Sequence, residues 1–277
     1  MLTGQITKIL SNLYTVTVND TKYECHSRGK FRKEKVTPLV GDYVEFDEKK
    51  NYIMRILPRQ NTLVRPMVAN IDQAIIVTSL KVPDFSTDLL DKLIALMEYY
   101  KVKPIICITK MDLLQSKDLE KYKNILAYYE KIGYSVYYND NISKIKEVFK
   151  GKTTVLAGQT GAGKSTFLNK LDKDLNLKTG EVSIALGRGR HTTRHVELLN
   201  ILNGKVLDTP GFSSISFEHV PKESIKDLFI EFKEYPCIYK DCNHIDEKEC
   251  IIKKMVEEGK ILQSRYDDYK NIMKSRW

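Results

Sequence analysis

Several features that define secreted and membrane proteins are missing from this sequence of 277 residues. No apolar run is long enough to span a bilayer, and the first residues lack the charged and apolar segments of a signal peptide. The five cysteines do not resemble a disulfide framework, because Cys25 and Cys107 stand alone in strand-like segments. No internal repeat or low-complexity linker is evident. We therefore expect a folded cytoplasmic protein that does not associate with membranes.

The sequence carries a net charge of +9, and the excess of lysine and arginine lies within residues 1–212. A basic surface is expected where a protein faces a polyanion such as RNA. An ordinary solvated surface explains a diffuse excess equally well. The charge alone therefore leaves both interpretations open.

Residues 153–166 contain the most informative motif in the chain. A β-branched apolar run, Thr153 to Ala157, predicts a buried strand, and the G-x-x-x-x-G-K-[ST] sequence of Gly158–Ser165 follows it directly. An apolar helical stretch comes next. This order is that of a phosphate-binding loop, so we predict that the chain binds a nucleoside triphosphate. The predicted contacts are Gly158, Gln159, Thr160, Gly161, Ala162, Gly163, Lys164, Ser165 and Thr166.

The residue types in this loop explain how it would hold a triphosphate. Its glycines allow left-handed backbone angles, so that successive N–H groups point inward at an anion. The start of the following helix adds the positive end of its dipole. We expect the ammonium group of Lys164 to reach the β- and γ-phosphates, as part of the catalytic machinery, and the hydroxyl group of Ser165 to bind Mg²⁺.

Residues 1–62 are predicted to form a small β domain. Five short strands, with clear period-two alternation at Leu13–Val18, favour a barrel of the oligonucleotide-binding (OB) type. The basic segment Arg28–Lys35 contains a single aromatic residue, Phe31. On such a barrel this segment can grip phosphates while Phe31 stacks on a base, which predicts contact with RNA. A solvated hairpin tip is the alternative.

From about residue 70 strands and helices alternate, which predicts a parallel α/β sheet within residues 63–212. The predicted strand Pro104–Thr109 leads into the sequence Thr109, Lys110, Met111 and Asp112. This sequence resembles the [NT]KxD element with which GTPases recognise guanine. The Asp112 carboxylate can accept hydrogen bonds from guanine N1–H and from the 2-amino group, whereas adenine offers no such pair of donors.

Two further segments complete the predicted nucleotide site. The Gly/Arg-rich segment Gly187–Arg194 contains two hydroxyl residues, Thr192 and Thr193, either of which can bind Mg²⁺ as part of a switch I; we favour Thr193. The sequence Asp208-Thr-Pro-Gly211 is a DxxG element. In such an element Asp208 would hold Mg²⁺ through water, and the Gly211 N–H would contact the γ-phosphate.

The order of these elements is unusual. GTPases ordinarily run from the phosphate loop through switch I and DxxG to [NT]KxD, whereas here Asp112 precedes Gly158. Because the termini of such a sheet domain lie close together, joining them and opening the chain elsewhere preserves every contact. We therefore predict a circularly permuted GTPase domain whose opened end falls directly after DxxG.

Residues 213–277 are predicted to form a helical domain around a metal ion. They contain Cys237, Cys242, His244 and Cys250. Three thiolates and one imidazole satisfy a tetrahedral structural zinc site, and the metal would stabilise a domain with a small core. A Cys237–Cys242 disulfide and unliganded buried thiols are the alternatives. Helices are predicted at Lys222–Lys233, Glu247–Glu258 and Ile261–Lys274.

The whole constellation resembles the RsgA family, also called YjeQ or YloQ, of bacterial GTPases that depend on the small ribosomal subunit. The resemblance covers nearly the full length, from residues 1–62 through the nucleotide motifs to the cysteine and histidine cluster. It implies a GTPase that hydrolyses GTP to GDP and phosphate, binds the 30S subunit and its 16S rRNA, and assists late maturation of that subunit with ribosome-stimulated turnover. It also implies Mg²⁺ and one structural Zn²⁺, and we expect a monomer.

Three departures from the usual GTPase pattern bear on base recognition and on hydrolysis. Thr109 replaces the commoner asparagine, and the usual Ser-Ala base-contacting loop is not recognisable, so we place it near Tyr138–Asp140. Ras-like enzymes orient water with a glutamine just after DxxG, where this chain has Phe212. We therefore expect slow intrinsic hydrolysis, with His191 as the candidate water-orienting group or, alternatively, as a packing residue. The rival functions are an ATPase or small-molecule kinase, disfavoured by Asp112, and an RNA-binding scaffold.

Overall fold

The computed structural model describes residues 1–33, 35–172, 175, 196–208, 215–239 and 241–274. The chain divides into two compact units. The first comprises Met1–Ala74, Ile142–Leu156 and Ser165–Phe212, and the second comprises Ile75–Asn141, Ala157–Lys164 and Ser213–Trp277. Each unit therefore combines segments that are distant in sequence.

The strands and helices follow the alternation expected from the sequence. The strands within the described residues are β1 (Leu2–Leu10), β2 (Leu13–Val18), β3 (Thr21–Ser27), β4 (Tyr43–Asp47), β5 (Tyr52–Ile56), β6 (Thr62–Leu63), β7 (Val68–Ala69), β8 (Gln73–Ser79), β9 (Lys103–Thr109), β10 (Ser135–Tyr138), β11 (Thr153–Ala157), β12 (Glu197–Ile201) and β13 (Gly204–Asp208). The α-helices there are α1 (Gly29–Lys33), α2 (Thr87–Tyr99), α3 (Ser116–Lys131), α4 (Ile142–Phe149), α5 (Lys164–Leu171), α6 (Ile251–Glu257) and α7 (Gln263–Lys274).

The first unit begins with a closed barrel of five strands. Antiparallel pairs join β1 to β2, β2 to β3, β4 to β5 and β1 to β4, and a short parallel pair between β3 and β5 closes the barrel. The inward side chains are apolar and fully buried, as the period-two alternation predicts; they include Ile6, Val16, Cys25, Val44, Phe46 and Ile53. The predicted OB-like barrel is confirmed.

The basic segment after β3 differs both from the RNA-contacting loop expected from the sequence and from the alternative, a solvated hairpin tip. It forms the short helix α1, in which the backbone N–H of Phe31 donates to the carbonyl oxygen of Arg28 at 3.1 Å. The ring of Phe31 is only 7% exposed. The prediction that this ring stacks on an RNA base is therefore wrong for this conformation, because burial removes its apolar surface from water. The neighbouring side chains of Lys30, Lys33 and Lys35 remain exposed.

Three further strands extend the sheet of the first unit beyond the barrel. Strand β11 pairs with β13 in parallel, β13 pairs with β12 antiparallel, and β12 meets β1 at Glu197 and Lys8, whose side chains form an ion pair at 2.7 Å. The turn before β13 requires glycine, because a Cβ atom at Gly204 would lie 1.9 Å from the carbonyl oxygen of Phe149. This sheet carries Asp208 at the end of β13, at the edge where the parallel strand β11 also ends.

The second unit contains a parallel sheet with crossover helices. Strands β8, β9 and β10 are neighbours in the order β10-β9-β8, and helices α2 and α3 connect them in sequence. Helix α2 begins at Thr87, because the hydroxyl oxygen of Ser86 accepts a hydrogen bond from the N–H of Leu89 at 3.2 Å. The predicted α/β architecture is confirmed, and its parallel strands end at a common edge.

Three helix boundaries differ from the sequence-based expectation. Helix α7 begins at Gln263, two residues after the predicted start at Ile261. The helix predicted at Lys222–Lys233 is instead two 3₁₀ helices, Lys222–Leu228 and Ile230–Glu234, because the buried Phe229 between them has the non-helical backbone angles φ −97° and ψ 87°. Helix α6 begins at Ile251 because Glu247 closes a loop instead, accepting the N–H groups of Asn243 and Ile245 at 2.7 and 3.0 Å.

A buried charge cluster joins α2, the 3₁₀ helix Ile230–Glu234 and α7 in the second unit. The guanidinium group of Arg265, which is 0% exposed, donates to Asp91 at 2.8 Å and to both carboxylate oxygens of Glu231 at 2.8 and 2.9 Å. The hydroxyl group of Tyr129 also donates to Asp91. We call these four residues the Arg265 cluster. No sequence motif predicts this cluster.

A third carboxyl group borders the Arg265 cluster. Asp268 on α7 is 5% exposed and lies close to Asp91 on α2. One oxygen of each of these two carboxyl groups, Oδ2, has no hydrogen-bond partner among the described residues. Burial, followed by the charge of Asp91, raises the pKa of Asp268 to about 7, although Thr87 donates to the carboxylate and opposes the shift. Burial also raises the pKa of Asp91, against the opposing charge of Arg265. Asp88 adds a further negative charge near Asp268.

This pair predicts a pH-dependent stability. A carboxyl group whose pKa is higher in the folded than in the unfolded chain stabilises the fold at low pH, and this contribution is lost as the pH rises to the folded pKa. We therefore expect the melting temperature of the wild type to fall more between pH 5 and pH 7 than that of Asp268→Asn, whose amide replaces the protonated carboxyl group. Thermal unfolding at pH 5, 6, 7 and 8 measures the difference.

The control for this prediction is Asp267→Asn, which removes a neighbouring charge from the exposed side of α7. A hydrogen bond from Lys270 lowers the pKa of Asp267, so this carboxyl group does not titrate between pH 5 and pH 8. If the melting temperatures of wild type and Asp268→Asn change in parallel across this range, the pKa of Asp268 is not raised in the folded protein.

Candidate functional site

The phosphate loop has the backbone geometry that its glycines predict. After β11 ends at Ala157, Gly158, Gly161 and Gly163 have φ angles of 126°, 83° and 95°, in the left-handed region. A Cβ atom at Gly158 would lie 2.0 Å from the carbonyl oxygen of Val77 on β8, so only glycine allows this approach. Helix α5 then begins at Lys164, as predicted. The loop therefore forms a nest of backbone N–H groups at a helix start.

The side chain of Lys164 is hydrogen-bonded to the backbone of the phosphate loop. The ammonium group of Lys164 donates to the carbonyl oxygens of Gly158 and Gln159 at 2.7 and 2.8 Å, and the side chain is 8% exposed. Burial lowers its pKa. Because both acceptors are neutral, the phosphate oxygens of a nucleotide are stronger partners for this cation. The position fits the predicted role of Lys164.

The predicted guanine-recognition sequence lies against this loop, as the permuted order requires. The hydroxyl group of Thr109 donates to the carbonyl oxygen of Ala162 at 2.7 Å, and the ammonium group of Lys110 donates to that of Gly161 at 2.8 Å. Met111 and Asp112 belong to a 3₁₀ helix, Met111–Leu113, in which Asp112 is exposed. Two motifs separated by more than forty residues are thus joined by direct hydrogen bonds, with the carboxylate of Asp112 accessible to a ligand.

A segment without a recognisable motif also touches this site. The ammonium group of Lys110 donates to the carbonyl oxygen of Val82, and a Cβ atom at Gly161 would lie 3.6 Å from Pro83. Sequence analysis missed both residues, because a backbone carbonyl carries no side-chain signal. The hydrogen bonds to Val82 and Gly161 hold Lys110 between the phosphate loop and the chain that follows β8.

The predicted base-contacting loop follows β10. Because β10 pairs in parallel with β9, Tyr138–Asp140 lies at the same edge of the sheet as Thr109. The N–H of Asn139 donates to the carbonyl oxygen of Ile108 at 3.0 Å, and that of Asn141 to Tyr138 at 3.0 Å. The assignment of this turn to base contact stays a prediction.

Of the predicted magnesium ligands, Ser165 is the one whose side chain belongs to the described residues. Ser165 is 3% exposed, and its hydroxyl oxygen has no hydrogen-bond partner among the residues that the structure describes. A buried hydroxyl without a partner is unfavourable unless a ligand satisfies it, so this atom fits a cation ligand. Asp208 ends β13, but its side chain lies outside the described residues, as do His191, Thr192, Thr193, Gly211 and Phe212.

The four predicted zinc ligands come together in the second unit. Their ligand atoms, three Sγ and the Nδ1 of His244, all lie within 4.8 Å of one another. The Sγ of Cys237 lies 3.4 Å from that of Cys242 and 3.8 Å from that of Cys250, and His244 Nδ1 lies 3.3 Å from both Cys242 and Cys250. A disulfide needs about 2.05 Å, so the Cys237–Cys242 disulfide does not form here.

These separations fit a metal ion at the centre of the cluster. Tetrahedral Zn²⁺ with Zn–S bonds of about 2.3 Å sets its sulfur ligands roughly 3.8 Å apart. Burial raises the pKa of Cys242 to about 12, so a thiolate at this position needs a neighbouring positive charge. The hydroxyl group of Tyr266 holds the loop by donating to the carbonyl oxygen of His244 at 2.7 Å. The cluster is compatible with zinc.

The fold and the site together define a circularly permuted P-loop GTPase, in which the guanine-recognition element precedes the phosphate loop. Comparison with known families agrees. The sequence model of the RsgA N-terminal domain matches residues 3–53, and that of the RsgA GTPase matches residues 56–218. The chain belongs to the RsgA family, and the resemblance found in the sequence is confirmed.

Curated relatives and solved structures are similar over almost the whole chain. The small ribosomal subunit biogenesis GTPase RsgA 2 of Listeria monocytogenes is 48% identical, with 99% of this chain and 97% of the relative covered. The RsgA protein of Latilactobacillus sakei is 44% identical, with 97% and 94% covered. The crystal structure of YloQ, a circularly permuted GTPase, aligns with a TM-score of 0.81 at 40% identity, covering 99% of this chain and 96% of that one.

A second solved structure, YjeQ from Thermotoga maritima, aligns with a TM-score of 0.84 at 35% identity and covers 98% of this chain and 96% of its own. The family and these structures establish the chain as a GTP hydrolase. Among the described helices, none combines the length and apolar character that a membrane crossing needs.

Proposed function

We propose that this GTPase binds the small ribosomal subunit and assists its late maturation, hydrolysing GTP to GDP and phosphate with ribosome-stimulated turnover. The observation that carries the nucleotide part is the pair of hydrogen bonds from Thr109 and Lys110 to the phosphate loop. They support a site in which guanine recognition lies beside triphosphate binding. The names of the relatives, which are small ribosomal subunit biogenesis GTPases, support the ribosomal part.

The nucleotide contacts divide into two groups. Backbone N–H groups of Gly158–Thr166 and the ammonium group of Lys164 bind the phosphates, and Thr109–Asp112 binds the base, with the carboxylate of Asp112 reading guanine. The ammonium group of Lys164 donates to two uncharged carbonyl oxygens. It therefore moves to the charged oxygens of the β- and γ-phosphates when a nucleotide binds.

The magnesium ion and the attacking water are assigned to a further set of residues. Ser165 and Thr193, with Thr192 as the alternative to Thr193, and Asp208 through water are the proposed ligands of Mg²⁺, which neutralises phosphate charge when bound. Gly211 N–H contacts the γ-phosphate. His191 orients the water, because no side chain that can hydrogen-bond stands at Phe212.

The zinc site and the partners complete the proposal. One structural Zn²⁺ held by Cys237, Cys242, His244 and Cys250 stabilises the C-terminal region, residues 213–277, since its ligand set leaves no open position. The barrel, residues 1–62, contacts 16S rRNA through exposed basic side chains such as Lys30 and Lys33. The protein acts as a cytoplasmic monomer, and residues 63–212 form its GTPase domain.

Single-turnover hydrolysis of GTP, with and without purified small subunits, tests this function. We expect slow hydrolysis by the protein alone and faster hydrolysis with subunits. His191→Ala should keep the affinity for GTP but lose the stimulated rate by about 100-fold or more, as expected for a group that positions water for proton transfer.

The matched control is His195→Ala, which removes another histidine close by in the sequence. Full stimulation of His191→Ala would show that another group orients the water. If subunits do not accelerate the wild type, the proposed coupling to the ribosome is wrong, whatever the histidine variants do.

A further inference from the structure

A cleft of about 590 Å³ lies wholly within the first unit, where β1 and β4 of the barrel meet the β12–β13 hairpin. Its volume is in the range of about 300–1,000 Å³ that is usual for small-molecule sites. The cleft reaches Thr153 at the start of β11, whereas the phosphate loop follows the end of that strand. Five strand residues, or roughly 16 Å, separate the two positions. The cleft is therefore distinct from the nucleotide site described above.

A half-buried lysine lines this cleft. The ammonium group of Lys205 on β13 donates to the side-chain oxygen of Gln5 at 2.6 Å. Gln5 is 2% exposed, and its amide nitrogen donates to the carbonyl oxygen of Gly41 at 3.2 Å, which fixes its oxygen toward the lysine. Lys205 has no ion-pair partner among the residues described in this structure, although Asp20 lies near enough to affect its pKa. Its remaining N–H groups are suited to an anion.

The other walls supply a second cation, a ring and amide groups. Lys152, which is exposed, precedes β11 at the same cleft. The ring of Tyr43 is 45% exposed there, and such a ring offers a stacking surface for a nucleobase. The side-chain amide of Asn200 is oriented by Asp20, which accepts its N–H at 3.4 Å. The carboxyl groups of Asp20 and Asp172 also line the cleft, so its two lysines face two acidic residues. Lysines beside an aromatic face and polar amides match the chemistry of a phosphorylated nucleoside.

We propose that this cleft binds a nucleotide phosphate, with the phosphate on Lys205 and Lys152 and the base against Tyr43. A free nucleotide and the 5′-phosphorylated end of an RNA share this chemistry. The two sources differ only in what continues beyond the sugar, so binding of a mononucleotide and of a short oligonucleotide separates them.

The test uses the full-length protein loaded with GDP and Mg²⁺, so that the phosphate loop is occupied. Equilibrium dialysis measures binding of AMP and of a 5′-phosphorylated uridine trinucleotide. We expect at least one of them to bind the wild type, and Lys205→Gln to weaken that binding roughly tenfold or more, since glutamine can still donate to Gln5 but carries no charge. Binding of AMP indicates a free nucleotide, and binding of the trinucleotide alone indicates an RNA end.

The matched control is Lys49→Gln, which removes the same charge from an exposed turn of the barrel that does not line the cleft. It should bind as the wild type does, and both variants should keep the basal rate of GTP hydrolysis. The proposal is overturned if neither probe binds the wild type, or if Lys205→Gln binds as tightly as Lys49→Gln. In either case the role of Lys205 is limited to its hydrogen bond with Gln5, which links β13 to the barrel.

Discussion

Replacing Asp112 with alanine is expected to lower the affinity for GTP about 100-fold or more and to leave the affinity for ATP unchanged. A carboxylate that accepts two hydrogen bonds contributes on the order of 3 kcal/mol, and about 1.4 kcal/mol corresponds to a factor of ten. Guanine provides both donors and adenine provides neither. Isothermal titration with nonhydrolysable analogues of GTP and ATP measures the two affinities separately.

The position of Asp112 makes this result informative. It lies in the 3₁₀ helix Met111–Leu113, and the preceding Lys110 is bonded to Gly161 of the phosphate loop at 2.8 Å. The Asp112 side chain itself is exposed, so its removal leaves the contacts between the two motifs in place. Asp118→Ala removes an equally exposed carboxylate from the first turn of α3 and should change neither affinity.

Two outcomes would contradict this assignment. An equal loss of GTP and ATP affinity in Asp112→Ala would show that the residue supports the phosphate loop and does not read the base. Unchanged affinity for both nucleotides would place base recognition elsewhere, and the turn at Tyr138–Asp140 would be the next segment to test.

The nucleotide site was predictable because its geometry depends on near neighbours. The left-handed angles at Gly158, Gly161 and Gly163 follow from the glycines, and the start of α5 follows from the motif. The adjacency of Thr109 to the loop required one further step, which is that parallel strands end at a common edge of a sheet. The residues predicted for switch I and DxxG stay predictions, since Thr193 and Gly211 lie outside the described residues.

The features that sequence analysis missed depend on distant partners. Phe31 is 7% exposed, and a run of basic residues around one ring does not reveal this burial. The break at Phe229 results from packing against Phe232 and Tyr269, the latter on a helix forty residues further on. The partners Asp91 and Arg265 are 174 positions apart. Charge patterning along one helix cannot identify such a pair.

Replacing Arg265 with methionine is expected to destabilise the second unit by about 3–5 kcal/mol, because Asp91 and Glu231 then remain buried without their cation. Both carboxylates are nearly inaccessible, at 0% and 2% exposure. The guanidinium group also stacks on the ring of Phe229, with its central carbon 4.5 Å from the ring centroid. Thermal and urea-induced unfolding of the full chain measures the loss.

The exposed counterpart is Arg55, whose ion pair with Glu45 spans 3.9 Å and whose side chain is 64% exposed. Arg55→Met should change the stability by less than about 1 kcal/mol, because water screens such a pair. A loss no greater than this in Arg265→Met would show that the Arg265 cluster is not buried in solution.

A triple variant separates the charges of this cluster from its shape. Replacing Asp91, Glu231 and Arg265 together with leucine, methionine and methionine removes every charge of the cluster, and apolar replacements of buried ion pairs are often neutral or stabilising. We expect this variant to recover most of the stability lost in Arg265→Met. If it stays as unstable as the single variant, the loss comes from packing around Phe229. In that case the hydrogen bonds of Arg265 contribute little to holding α7 against α2.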